Sequence, residues 1–258
     1  MRPGGAMPSL SVAVVVLNEE ERLRACLETV VWAGEIVVVD AGSDDKTVSI
    51  AREFTDRVVF RAWDGYVSQK NFALRECRGD WVLSLDADER VTDALREEIQ
   101  GVLRSERDAV GFYLPRRNHF QGRWVRWGGL YPDWQLRLFR RGRGAFAERA
   151  VHESVRVDGP TARLTAPLLH ESYRSIGDAV ARLNRYSDLA ATELVKAGRG
   201  GSLVDLLLRP AWRFLSMYLL RAGFLDGWRG LVLAGLHAHY VFLRAAKVRE
   251  RRTGRGTA

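Results

Sequence analysis

From Leu10 the chain reads Leu-Ser-Val-Ala-Val-Val-Val-Leu, a continuous β-branched run predicted to form a strand buried on both faces. A strand of that kind belongs inside a parallel sheet with helices above and below, which constrains how the following residues can be read. Asn18 ends the run. Glu19 to Val31 then places Leu23, Cys26, Leu27, Val30 and Val31 at helical spacing, with Glu19, Glu20 and Glu21 in the first turn, where the helix dipole favours negative charge. The alternation continues with a strand at Ile36 to Val39 and a helix from about Asp45 to Phe54 capped by Asp44. A third strand, Val58 to Phe60, precedes a helix at Tyr66 to Cys77, and a fourth, Trp81 to Leu85, ends at Asp86. Strand-then-helix units throughout the first 105 residues predict an α/β fold with a largely parallel sheet, because parallel neighbours need crossover connections. Ligands of such sheets bind outside the carboxyl ends of the strands.

After Arg104 the text changes. Ala109 to Leu114 and Trp134 to Phe139 read as strands separated by a Trp-, Arg- and Gly-rich loop from Arg116 to Asp133, long enough to suggest a functional segment. Beyond Ser175 the chain is predicted helical, through Ile176–Ala197, Leu203–Ala222 and Trp228–Arg249, with a frayed tail at Arg251–Ala258. The domain organisation that follows is an α/β domain over 8–175 and a mainly helical region over 176–250. In the last helix the longest uncharged run, Gly230 to Leu243, is 14 residues. A membrane span needs roughly 20 apolar residues. Trp212, Phe214, Tyr218, Phe224 and Trp228 alternate with Arg209, Arg213, Arg221 and Arg229. That interleaving fits either peripheral contact with a membrane surface or a packed helical appendage with solvated arginines.

With 258 residues, 47% of them hydrophobic, and only two cysteines, disorder, collagen-like repeats and a disulfide scaffold are excluded. Cys26 and Cys77 read as reduced thiols, and with no secretory signal read in the text the expected location is cytoplasmic. Residues 1–100 carry a net charge of −7 and residues 101–258 a net of +15. The basic part suits nucleic acid, an anionic membrane surface or a phosphorylated substrate. Nothing resembles a helix-turn-helix, a zinc finger or an RNA-binding aromatic motif, and His237 and His239 point to different faces of their helix, so no nucleic acid is expected. The absence of Gly-x-Gly-x-x-Gly after Leu17, and of Gly-x-x-x-x-Gly-Lys-Ser/Thr anywhere, argues against dinucleotide dehydrogenases and P-loop enzymes.

Two acidic sites fall where a parallel sheet presents its ligands. Asp40 follows the second strand in Val-Val-Val-Asp-Ala-Gly-Ser-Asp-Asp-Lys-Thr, and Asp86 and Asp88 follow the fourth in Leu-Ser-Leu-Asp-Ala-Asp-Glu. Carboxylates two apart on extended backbone point the same way and repel unless a cation lies between them. A hard divalent ion such as Mg²⁺, held by one or two carboxylates and substrate phosphates, fits that position; a solvated turn is the alternative.

With these elements in place the sequence resembles the family 2 glycosyltransferases of GT-A fold, and within them the lipopolysaccharide core β-glycosyltransferases. The resemblance is carried by Val16-Leu17-Asn18-Glu19-Glu20, Val39-Asp40-Ala41-Gly42-Ser43-Asp44-Asp45-Lys46-Thr47, Gln69-Lys70-Asn71 and Gly79-Asp80-Trp81-Val82-Leu83-Ser84-Leu85-Asp86-Ala87-Asp88-Glu89. It continues in Tyr131-Pro132-Asp133-Trp134-Gln135-Leu136-Arg137-Leu138-Phe139-Arg140 and Val151-His152-Glu153, covering about residues 8–175, with a weaker match at Phe224–Gly230. It implies inverting transfer of a sugar from a nucleotide sugar, expected to be a uridine-diphosphate sugar, to a glycolipid or surface-glycan acceptor. Asp40 would bind the base beside the backbone of Leu17 and Glu19. Asp86 would contact the ribose or the metal, Asp88 would ligate Mg²⁺ or Mn²⁺, Lys70 would add a cation near the nucleotide, and His170 would be a third metal ligand. Glu153 would be the general base, with Asp133 as runner-up. Many members have two consecutive acids where this chain has Asp40-Ala41. The Gln-x-x-Arg-Trp text of processive synthases is absent, which favours a single addition. Apart from the resemblance, Trp124, Trp127, Tyr131 and Trp134 in and beside the 116–133 loop are suited either to stacking on acceptor sugar rings or to packing that loop down. The rivals are a catalytically inactive nucleotide-sugar-binding protein of the same fold and an enzyme using a lipid-phosphate sugar.

Overall fold

The computed structural model describes residues 8–105, 108–147, 154–173 and 175–254. Glu153 and its neighbour His152 lie outside the described residues. Contacts divide the chain into two compact units. One contains the chain up to Arg116 together with 133–147 and 154–170, and the other joins Arg117–Pro132 to the chain from Glu171 onward.

The first unit opens with β1 (Leu10–Val16), α1 (Leu23–Glu28), β2 (Glu35–Asp40), α2 (Thr47–Arg52), β3 (Val58–Phe60), α3 (Tyr66–Glu76) and β4 (Trp81–Asp86). There follow β5 (Glu89–Val91), α4 (Asp93–Arg104), β6 (Gly111–Phe120), β7 (Arg123–Trp124), β8 (Asp133–Arg140), β9 (Gly144–Ala147), β10 (Ser154–Val157), β11 (Thr161–Arg163) and β12 (Leu168–Tyr173). The sheet order is β3-β2-β1-β4-β8-β6-β12-β5; β7 and β11 also pair with β6, and β9 and β10 form a separate hairpin. Strands β3, β2, β1 and β4 are parallel, as the strand-helix alternation predicts, whereas β8 runs antiparallel to both β4 and β6.

Period-2 alternation in β1 sorts its side chains into two layers. Leu10, Val12, Val14 and Val16 pack with Leu23, Cys26, Leu27 and Val30 of the α1 region, while Ala13 joins Val37, Val39, Ala73, Cys77, Val82 and Phe139 on the α3 side. All 15 of these residues except Cys77, Leu10, Ala13 and Val16 are 0–1% exposed, and those four are at most 3%. Val16 pairs with Asp40 and Val15 with Asp86, so β1 ends flanked by an acid on each side.

Several local expectations are corrected. The first helix begins at Leu23, and Glu19 to Glu21 precede it. Their backbone is spent on the neighbouring loop: the Glu19 N–H donates to Thr47 Oγ1 at 2.8 Å and the Glu20 N–H to Asp45 Oδ2 at 3.1 Å. Helix α2 starts after Lys46, and Asp45 rather than Asp44 accepts the Thr47 N–H, at 2.8 Å. The segment read as a loop over 116–133 contains the end of β6 and its hairpin partner β7, paired through His119–Trp124 and Phe120–Arg123. Trp124 is engaged within it, with Tyr131 packed edge-on at 5.2 Å between ring centroids and the Arg117 guanidinium 4.2 Å from its own ring centroid, whereas Trp127 is 38% exposed.

In the second unit, Phe120 and Val125 pack with Leu233, which gathers 117–132 with the C-terminal helices. Those helices are α5 (Ile176–Lys196), α6 (Leu203–Leu215) and α7 (Trp228–Thr253). Helix α6 gives way to a π turn at Ser216–Leu220, and Ala222, with φ of 56°, ends the run predicted through to that residue. Helix α7 continues to Thr253, beyond the predicted Arg249, and 255–258 lie outside the described residues. Among the described residues no helix is long and apolar enough to cross a membrane.

Gly79, just before β4, is a position where the backbone leaves no room. A methyl group there would lie 2.7 Å from the Ser11 nitrogen and 2.8 Å from Ser11 Oγ. Gly79→Ala is expected to cost about 1–3 kcal/mol through forced backbone displacement, read as a lowered urea midpoint. An unchanged midpoint would contradict this packing.

Candidate active site

The carboxyl ends of β1, β2 and β4 are adjacent in the sheet, and the loops leaving them are laced together. Asn18, in the left-handed region at φ of 55°, donates its N–H to Ser43 Oγ at 2.9 Å and accepts the Asp44 N–H on Oδ1 at 3.0 Å. Asp40, 4% exposed, accepts the N–H groups of Gly42 and Ser43 at 3.0 and 3.1 Å on Oδ2. The loop that follows is therefore folded over its carboxylate. Leu17 is exposed beside this pair of loops.

At the end of β4 the charges form one network. Asp86 Oδ1 lies 2.9 Å from Lys70 Nζ of α3, and Asp86 Oδ2 accepts from the Arg137 guanidinium of β8 at 2.5 Å. The same guanidinium nitrogen donates to Glu89 Oε1 at 2.6 Å, and Arg116 of β6 reaches that oxygen at 3.2 Å. Glu89 Oε2 accepts the Asp86 N–H at 3.0 Å, closing the turn that carries Asp88. Arg116 also grips Asp133, at 2.8 Å from Nε and 2.7 Å from NH2, and Gln135 Nε2 donates to the other Asp133 oxygen at 2.7 Å. Pairing of β6 with β8 sets Arg116 directly opposite Asp133.

Asp88 is held more loosely. Its Oδ2 lies 3.4 Å from Arg22 NH1 and 3.5 Å from His170 Nε2, and the Asp88 and His170 side chains are each 13% exposed. Strand pairing explains how a residue so distant in sequence arrives: β12 runs antiparallel to β5 with His170 opposite Glu89. Burial alone would raise the Asp86 pKa, but Arg137 and then Lys70 outweigh it and hold the carboxyl well below the usual range. For Asp88 burial also works upward and Asp86 adds to it, yet the His170 hydrogen bond and the Arg22 charge leave the net shift downward. Both acids are thus ionised at neutral pH.

Among the described residues no cluster of three or more His, Cys, Asp and Glu is arranged to hold a metal. The donor chemistry nevertheless fits a two-ligand half-site, one hard carboxylate oxygen from Asp88 and one imidazole nitrogen from His170, of the kind that substrate phosphates complete around Mg²⁺ or Mn²⁺. Both Asp86 oxygens are engaged by cations in this state.

Arg22, Glu89, Arg116 and Arg137 were not singled out by sequence reasoning. A signal existed for Arg137: a cation between Leu136 and Leu138 in a predicted strand demands a counter-charge once that strand is buried, and the Asp-Ala-Asp-Glu turn supplies two.

Comparison with known proteins agrees with this architecture. Residues 11–157 match the family described as Glycosyl transferase family 2. The lipopolysaccharide core biosynthesis glycosyltransferase LpsC of Rhizobium meliloti (strain 1021) is 33% identical over 94% of this chain and 92% of its own length. An uncharacterized glycosyltransferase of Rickettsia bellii (strain RML369-C) is 31% identical over 93% of this chain and 86% of its own. Among solved structures, the mannosyltransferase PcManGT from Pyrobaculum calidifontis, in complex with GDP-Man and Mn²⁺, aligns with a TM-score of 0.55 at 17% identity, covering 94% of this chain and 87% of that one. The chain belongs to glycosyltransferase family 2.

Arg137→Met would leave Glu89, 0% exposed, and Asp86 without their shared cation. Removing one member of a buried ion pair typically costs about 3–5 kcal/mol, so a loss of that order is expected in urea unfolding at pH 7. Because the folded Asp86 pKa is depressed, its contribution is fully present above the unfolded value near 4 and fades as pH falls toward the folded one. The stability gap between wild type and variant is therefore expected to narrow below about pH 4. A gap independent of pH would contradict the role assigned to Arg137.

Proposed function

We propose that this family 2 glycosyltransferase transfers a single sugar, with inversion, from a nucleoside-diphosphate sugar to a hydroxyl of a glycolipid acceptor of the lipopolysaccharide-core type. The observation that carries the reading is the convergence of Asp86, Asp88 and His170 with Lys70 and Arg137 at the strand end beside Asp40. Uridine-diphosphate sugars are the preferred donors, with Asp40 and the backbone at Leu17 and Glu19 at the base. Asp88 and His170 would hold Mg²⁺ or Mn²⁺, and the ion, when bound, supplies Lewis-acid stabilisation to the departing nucleoside diphosphate. Lys70 and Arg137 hold Asp86 in place and keep positive charge where the diphosphate sits.

The transfer needs a base. Asp133 is clamped by two nitrogens of Arg116 and by Gln135, so most of its lone-pair positions are taken. Glu153 is the preferred group. It takes the proton of the acceptor hydroxyl as that oxygen attacks the anomeric carbon from the face opposite the phosphate; the carbon–phosphate oxygen bond breaks and the nucleoside diphosphate leaves with its electron pair. The acceptor's lipid places the reaction at the cytoplasmic face of a membrane, with the protein in peripheral contact.

The test is a panel of uridine- and guanosine-diphosphate sugars scored for thermal stabilisation and slow donor hydrolysis, with and without Mn²⁺. One donor is expected to stabilise the protein in a metal-dependent way, with turnover lost in Asp88→Ala. Glu153→Gln is expected to lower kcat for transfer about 10²–10⁴-fold while donor binding persists. Binding without any turnover would point to a non-catalytic nucleotide-sugar-binding protein, and no response to any nucleotide sugar would point to a lipid-phosphate donor. Full activity of Glu153→Gln would transfer the base role elsewhere.

A further inference from the structure

Helix α6 is turned inside out. Its one buried residue is Asp205, which forms a capping box with Ser202, while Leu203, Val204, Leu207, Leu208 and Trp212 are 54–65% exposed. The same face continues through Leu215, Leu219 and Leu220, the last of them 68% exposed. Spacing of three and four residues puts Val204, Leu208, Trp212, Leu215 and Leu219 on one continuous stripe. Single exposed apolar residues need no explanation, but a contiguous outward stripe of this length marks a surface that something covers.

The charge beside the stripe says what kind of surface that is. Residues 203–254 carry nine Lys and Arg against three Asp and Glu. Among the described residues Arg213 and Arg221 form no ion pair with a carboxylate, whereas on the inward side of α6 Arg209 pairs with Asp205 at 2.8 Å in a cavity of about 280 Å³ that Arg199 and Arg244 also line. Arg213 is half-buried, and burial together with the charges of Arg221 and Arg244 weakens its hold on its proton. His237 is pushed down to about 4 by burial and by Arg213, so it adds no charge at neutral pH. Apposing a second copy would bring two such cationic surfaces together, whereas lipid phosphates would neutralise them.

We propose that α6 and the π turn after it form a monotopic docking surface that buries the Val204–Leu220 stripe in the headgroup and upper acyl region of an anionic phospholipid bilayer, with the flanking arginines on lipid phosphates. This deepens the membrane contact in the functional reading and rests on it for its biological setting, but its geometry is independent of the sugar chemistry.

The test is flotation of the full chain with phosphatidylcholine vesicles containing 30% phosphatidylglycerol or none. The protein is expected to float with the anionic vesicles at least tenfold better than with neutral ones, and less well in 0.5 M salt. The exposed double variant Leu207→Glu/Leu208→Glu is expected to lose vesicle binding at least tenfold while keeping its helical circular dichroism, melting temperature and donor hydrolysis. Arg213→Gln/Arg221→Gln is expected to remove the preference for anionic lipid. Equal flotation of wild type and the Leu207/Leu208 variant would overturn the proposal, as would no flotation, or a solution dimer that this variant dissociates. Vesicle binding that fails while donor hydrolysis persists would sink this inference alone; vesicle binding that persists with no nucleotide-sugar response would sink the nucleotide-sugar donor reading alone.

Discussion

A single guanidinium, that of Arg137, organises the acidic end of the sheet. It lies in the interior of β8 between two leucines and can remain there only because Asp86 and Glu89 both reach it. The dependence is mutual: Glu89, with no exposed surface, needs Arg137 and Arg116, and its second oxygen holds the Asp86 N–H. The turn that presents Asp88 is therefore fixed by buried charge. Such networks contribute little net stability relative to apolar packing, but they penalise every arrangement in which one partner is missing. Precise presentation of Asp88 beside His170 is what this arrangement secures.

The α/β half of the fold was legible because its signals are local. The valine run of β1 and the strand-helix alternation predict the parallel strands, and β3 was read to the residue at Val58–Phe60. What escaped was set by pairing between distant segments. The antiparallel insertion of β8 next to β4 has no local signature, and with it went the roles of Arg137 and Arg116. His170 was named from resemblance, but its approach to Asp88 depends on β5–β12 pairing across some 80 residues, which periodicity cannot reveal. Asp44 was chosen as a cap on residue type alone; in the structure the Asp45 carboxylate accepts the Thr47 N–H, while the Asp44 N–H is held by the Asn18 side chain. In the helical part, the apolar stripe of α6 was visible as composition, but only the structure shows that it faces outward.

The charge division of the chain acquires a physical meaning from these observations. Acidic residues concentrate in the first hundred positions, where the strand ends gather them around cations. Arginines dominate the remainder, where several are left without carboxylate partners among the described residues and adjoin an exposed apolar face. One unit carries the residues proposed to hold a metal ion and the donor's phosphates, and the other the exposed apolar stripe proposed to meet lipid.

The central claim is that Asp88 and His170 form a half-site completed by a nucleoside diphosphate. Pulsed electron paramagnetic resonance of Mn²⁺ added to the full chain with uridine diphosphate tests it directly. The account requires nitrogen modulation from one imidazole, absent in His170→Ala and in samples lacking the nucleotide. A spectrum of water-coordinated Mn²⁺, unchanged by either the nucleotide or the substitution, would contradict it.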